Sequence, residues 1–110
     1  MHVVQNIRSS VKKFWAKTFL KKNDFLVAIC DKKLLGKIIK TDDLEIKIKK
    51  EFYGGYLIDE NEALKLLKKC TIANLMGKEI VKLALENGFI TEENVLILGE
   101  IPHAQMVKLL

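Results

Sequence analysis

Cys30 and Asp31 are neighbours in this 110-residue chain, and His103 is one of its two histidines. A thiol beside a carboxylate, joined by an imidazole, supplies the parts of a thiol nucleophile. His103 would lower the Cys30 pKa and Asp31 would orient the ring. More than seventy residues separate Cys30 from His103, so only the fold can bring them together. The quieter reading is a buried cysteine that fills core space and an aspartate that opens a turn. A metal variant would add Cys70. However, Cys30, Cys70 and His103 match no standard zinc spacing and the chain has no CxxC pair. No metal and no cofactor is expected.

Three further clusters carry unusual residues. In Phe52-Tyr53-Gly54-Gly55-Tyr56, paired glycines between aromatics allow another backbone or a ligand to come close. An exposed Tyr53 would stack on a base, whereas packed aromatics would mark a tight turn. No GK[ST] follows, so this is not a phosphate loop. Thr71 to Gly77 is rich in small residues and suits a junction between two helices, with Asn74 capping the second. In Ile101-Pro102-His103-Ala104-Gln105 the proline favours an extended chain, which would point His103 and Gln105 to one face. Imidazole and amide together can hydrogen-bond a base edge, a carboxylate or a partner's backbone.

Charge adds a second theme. Lysines and arginine outnumber acids 19 to 14, for a net +5, and Arg8 is the one arginine. Residues 1–50 hold thirteen bases and five acids, a balance of +8, while residues 51–110 stand at −3. Clustered bases bind phosphate polymers through counterion release. Lysine-rich surfaces also keep proteins soluble and guard sheet edges, and specific phosphate readers favour arginine. The hydrophobic content of 49% excludes a disordered tail, and no apolar run is long enough for a membrane helix. Residues 1–13 are polar and basic, unlike a signal peptide. A cytoplasmic protein with reduced thiols is expected.

These residues need elements to position them. Phe14–Leu20 and Phe25–Asp31 read as a hairpin about a polar turn, the second strand being apolar enough to lie centrally. Leu44, Ile46 and Ile48 alternate with charged residues, as in a strand with one wet face. Asp59 followed by Glu62 reads as a capping box that opens a helix with Ala63, Leu64 and Leu67 inward. A second helix is expected from about Leu75 to Asn87, ended by Asn87-Gly88. Val95–Leu98 reads as a last strand. Residues 1–13 form an extension, and residues 14–110 a single domain. Its fold class is α+β: a two-layer sandwich with a mainly antiparallel sheet and two helices on one face.

At these clusters the chain resembles the small archaeal proteins grouped as domain of unknown function 424. The likeness covers about residues 14–107 and rests on LVAICDKKLLGK, EFYGGYLIDENEALKLL, TIANLMGKEIVKLA and IPHAQ. It implies an archaeal cytosolic α+β domain and carries no settled activity. The residues favour a non-enzymatic module that binds RNA or a ribonucleoprotein. Lys32, Lys33, Lys37, Lys47 and Lys49 would position phosphates, and Tyr53 and His103 would contact bases. Asp31, Tyr53, Gly54, Gly55, Asn74, His103 and Gln105 are expected to line one shared groove beside those lysines. The alternatives are the Cys30/Asp31/His103 enzyme and a protein-interaction domain that uses a sheet edge or helical face. No membrane association is expected, and the oligomeric state is open.

Overall fold

A computed structural model describes residues 10–109. The chain opens with the expected hairpin, β1 (Phe14–Lys21) and β2 (Asp24–Asp31), in full register from Phe14↔Asp31 to Lys21↔Asp24. It then leaves the sheet. A 3-10 turn (Lys32–Leu34), a ribbon of β3 (Ile38–Lys40) and β4 (Glu45–Lys47), and the one-turn helix α1 (Lys50–Tyr53) lead to β5 (Tyr56–Ile58). After β5 come α2 (Glu60–Lys69), β6 (Ile72–Met76), α3 (Lys78–Glu86), and the hairpin β7 (Val95–Leu98) and β8 (Ile101–Val107). Six strands form one sheet in the order β5-β1-β2-β6-β8-β7. Its contacts are antiparallel except that between β2 and β6, which is parallel.

The architecture is α+β with α2 and α3 on one face, as the sequence pattern implies. Phe14, Ala16, Val27, Ile29, Ala73, Leu75 and Ala104 bury against Ala63, Leu67, Ile80 and Ala84 of those helices. The Asp59 capping box forms as expected: Glu62 N–H donates to Asp59 Oδ1 and Asp59 N–H to Glu62 Oε1, both at 2.9 Å. The two-layer frame carries a further cover. The excursion from Lys32 to Tyr53 folds over the opposite face, where Ile39, Ile48 and Tyr53 bury against Ala28, Cys30 and Met76. The sheet centre is therefore covered on both sides.

That double cover explains one correction. Ile72–Met76 is a strand, so Asn74 lies mid-strand, pairs with Ala28 and Gln105, and caps no helix. A strand buried on both faces lacks polar alternation and resembles a helix segment in local pattern. Its parallel partner lies some 45 residues earlier, outside any local window. The second helix consequently starts at Lys78, after Gly77. Of the proposed extension 1–13, residues 1–9 lie outside the described residues.

The start of α3 is capped by a residue far away in sequence. Gly77, the N-cap, has no side chain to offer and holds φ 125°, ψ 157°. Asp31 from the end of β2 takes over: Glu79 N–H donates to Oδ2 and Ile80 N–H to Oδ1, both at 2.9 Å. These are the donors that an N-cap side chain normally satisfies. A Cβ on Gly77 would sit 2.3 Å from Asp31 Cγ. Gly77→Ala therefore meets both backbone strain and a clash with the cap. It is expected to lose about 3 kcal/mol of unfolding free energy in urea titration. An alanine variant as stable as the parent would contradict the role given to this contact.

Candidate functional site

The residues singled out by sequence separate into three places. The first is a polar cluster on the sheet face away from α2 and α3. The Tyr53 hydroxyl donates to Asn74 Oδ1 at 2.8 Å, and His103 Nε2 lies 2.8 Å from the same oxygen. Because that oxygen can only accept, the imidazole carries its proton on Nε2 and leaves Nδ1 as an acceptor. Burial lowers the His103 pKa, so the ring is neutral at pH 7. Gln105, exposed and paired across from Asn74, shares the face with His103. Tyr53 is only 5% exposed and its neighbour Phe52 packs edge-on at 4.9 Å. Its ring presents no face to a base, and the expected stacking role does not fit. The cluster instead ties α1 to the central strands β6 and β8.

Gly54 closes the short helix α1 against Lys50 and Leu35, and Gly55 lies against the edge of β1. A Cβ on Gly55 would meet the Ala16 carbonyl oxygen at 2.3 Å, so the close approach permitted there is that of the chain's own backbone.

The thiol arrangement is not assembled. Cys30 is fully buried on the face shared with His103, but Met76 stands between their strands in register. Two strand spacings, roughly 10 Å, separate the backbones. Asp31 points to the other face, where it caps α3. Burial, reinforced by the Asp31 carboxylate, pushes the Cys30 thiol up to about 12, which is the wrong direction for a nucleophile. Cys70 belongs to the helix-side core and Cys30 to the other. Among the described residues no group of three potential metal ligands comes together.

The second place is an open crevice of about 590 Å³ at the carboxyl ends of β2 and β6. Adjacent parallel strands whose continuations leave to opposite faces create such a crevice. After β2 the chain turns to the excursion side, and after β6 it turns into α3. Lys32, Lys33 and Leu34 form one wall, Lys78 and Glu79 the other, and Val11, Lys12, Lys13 and Ile101 complete it. Lys12 pairs with Glu62 at 2.6 Å and Lys13 with Glu60 at 3.1 Å, so α2 and its carboxylates hold that wall in place. Lys32, Lys33 and Lys78 are exposed and make no ion pair among the described residues. Asp31 lies at the base, its pKa raised by burial against the opposing pull of the Glu79 and Ile80 N–H groups. Two of the first helix amides, those of Glu79 and Ile80, are thus already occupied.

The third place is the excursion. Lys37 lines a shallow hollow with Ile39, Lys40 and Glu100, while Lys47 lies with Gly36, Lys50 and Glu51. Lys49 is exposed beside them. The single shared groove expected from sequence does not form. Tyr53, Asn74, His103 and Gln105 come together, Asp31 joins Lys32 and Lys33 elsewhere, and Lys37, Lys47 and Lys49 stand on separate ground. Lys78 was missing from that expectation. It becomes legible once Ile72–Met76 is read as a strand, because the first residues after a parallel strand line such a crevice.

Comparisons with known proteins give family and fold. A family model described as "Protein of unknown function (DUF424)" matches residues 20–109. No curated protein matches the chain. The crystal structure of an uncharacterized conserved protein from Methanopyrus kandleri superposes with a TM-score of 0.73 at 22% identity, covering 84% of this chain and 89% of that one. No helix among the described residues is long and apolar enough to cross a membrane.

Two outcomes follow from the excursion-side core. Asn74→Ala leaves the Tyr53 hydroxyl and His103 Nε2 without their acceptor and is expected to cost about 2 kcal/mol or more, against about 1 for Tyr53→Phe. Equal or negligible losses in urea titration would contradict the shared-acceptor geometry. The second outcome concerns alkali. A folded-state pKa near 12 for Cys30 exceeds the unfolded thiol value, about 8.5, so folding favours the protonated thiol. That contribution is complete below the unfolded value and is lost as pH climbs toward 12. Cys30→Ala should show a shallower decline of stability over this window than the parent, and parallel curves would contradict the assignment.

Proposed function

Because this chain belongs to the DUF424 family, whose description carries no activity, we propose its role from geometry: a non-enzymatic binding module that takes a phosphate-bearing polymer, RNA foremost, in the crevice beyond β2 and β6. The observation that carries this reading is the convergence of Lys32, Lys33 and Lys78 from two separate chain segments on one open cleft. Lysine ammonium groups without carboxylate partners bind phosphate oxygens by displacing condensed counterions. Leu34 and Ile101 add apolar surface to the lining, against which a sugar or a base can pack. Asp31 holds the α3 amides, so phosphate recognition falls to the lysines and not to the helix end. With one arginine in the chain, recognition of this kind positions a backbone and reads little sequence. The cytoplasm, where RNA is abundant and thiols stay reduced, is the compartment this reading assigns.

Fluorescence anisotropy with a labelled single-stranded RNA tests it. Three neutralised phosphates correspond to a log–log salt slope of about −2, so a fourfold rise in salt should weaken binding roughly twentyfold. Replacing Lys32, Lys33 and Lys78 together by glutamate should remove the signal while leaving the circular dichroism unchanged. Binding indifferent to salt, or equal in the triple variant, contradicts the reading.

A further inference from the structure

β7 is a terminal strand of the six-stranded sheet. Its four residues, Val95-Leu96-Ile97-Leu98, are all apolar, with Leu96 60% and Ile97 59% exposed on opposite faces. No lysine or arginine occurs anywhere from residue 83 to 107. Edges of this kind are normally blunted by charge or proline, because their free N–H and C=O groups template further pairing.

The register decides which backbone groups are free. Ile97 lies opposite Pro102, which has no N–H and whose carbonyl accepts from Gly77 N–H at 2.9 Å. The backbone of residue 102 is thus turned toward β6. In an antiparallel ladder the polar groups of its partner Ile97 then point away from β8. By the same alternation, Val95 and Gly99 also point outward. Val95 N–H is already bonded to the Glu92 carbonyl. Gly99 N–H makes no hydrogen bond among the described residues. Read along the edge, the groups without a partner among the described residues are an acceptor at Val95, a donor and an acceptor at Ile97, and a donor at Gly99, where Ile39 and Lys40 of β3 flank the strand end.

This order is its own complement. We propose that β7 pairs antiparallel with β7 of a second copy about a two-fold axis at Ile97, joining two six-stranded sheets into one continuous sheet. Ile97 and the partner's Ile97 exchange both of their hydrogen bonds. Gly99 N–H donates to the carbonyl of the partner's Val95, and the symmetric bond forms at the other end. The ladder closes with no donor facing a donor, as an isologous interface requires. Ile97 side chains meet across the axis on one face, and on the other face Leu96 falls opposite the partner's Leu98. Glu92 and Glu93 precede the strand, while Lys37 and Lys40 line the hollow beside Gly99 and Glu100 at its far end. Antiparallel pairing brings the acidic end of one edge toward the lysine-bearing end of the other. An unrelated extended peptide would satisfy the backbone without matching this order.

Sedimentation velocity on the full chain, from micromolar to millimolar concentration, tests the pairing together with amide hydrogen exchange. The weight-average mass should rise from one chain to two, and exchange at the Ile97 amide should slow in step with it. Ile97→Lys places a charge on the axis and should keep the protein at one chain mass with unchanged circular dichroism. Should that variant fail to fold, the Ile97 amide of the parent decides. A parent that stays at one chain mass overturns the proposal. So does a dimer that persists in Ile97→Lys, or an Ile97 amide whose exchange ignores concentration.

Discussion

Where β2 ends, the Asp31 carboxylate reaches across to the first turn of α3 and accepts two of its free amides. Much of the molecule hangs on this contact. β2 and β6 run parallel as neighbours, so their carboxyl ends emerge side by side, yet one continuation folds over the excursion face and the other over the helix face. Two divergent exits leave a gap between them. Asp31 is the residue that bridges its base, and Gly77 is the residue small enough to let it in. The same contact consumes the positive end of α3, so the crevice above it owes its basic character to side chains alone.

The two faces of the sheet are held by different physics. On the helix side, Phe14 and the leucine, isoleucine, valine and alanine side chains around it form the larger core, with Cys70 at its margin. On the other side the cover is short and irregular, one turn of helix and a three-residue ribbon, and such pieces bring little apolar area of their own. Tyr53 compensates with a hydrogen bond as well as a ring. Its hydroxyl and the His103 imidazole converge on one Asn74 oxygen, which pins the excursion to the two strands beneath it. Among the described residues no side-chain polar atom is buried without a partner, so this polar cluster carries no desolvation penalty left uncompensated.

Much of this was legible from residue order. The first hairpin, the Asp59–Glu62 box, the inward stripe of α2 and the terminal extended segment follow from short-range rules that need no tertiary context. Asn74 did not, because a strand buried on both faces loses the alternation that would announce it, and its parallel partner is remote. That one misassignment also hid Lys78, which belongs to the crevice only if a strand precedes it. Cys30 was correctly placed on a strand, whereas Val95–Leu98 was read as the last strand and His103, which lies in β8, only as part of an extended segment after it. Nothing local could say that Met76 would stand between Cys30 and His103. Asp31 was read as a turn residue or a catalytic orienter, while its role depends on Gly77, forty-six positions away.

On the proposed function, the cleft between the divergent exits of β2 and β6 is where this protein meets its ligand. Amide chemical-shift mapping by NMR, with a short single-stranded RNA added to the uniformly labelled chain, tests it most directly. The largest shifts are expected on two segments remote in sequence, residues 32–34 and 78–80, with Ile101 following them and residues 37–49 and 95–98 little changed. Shifts confined to residues 95–98 or to residues 37–49, or none at saturating RNA, would contradict it.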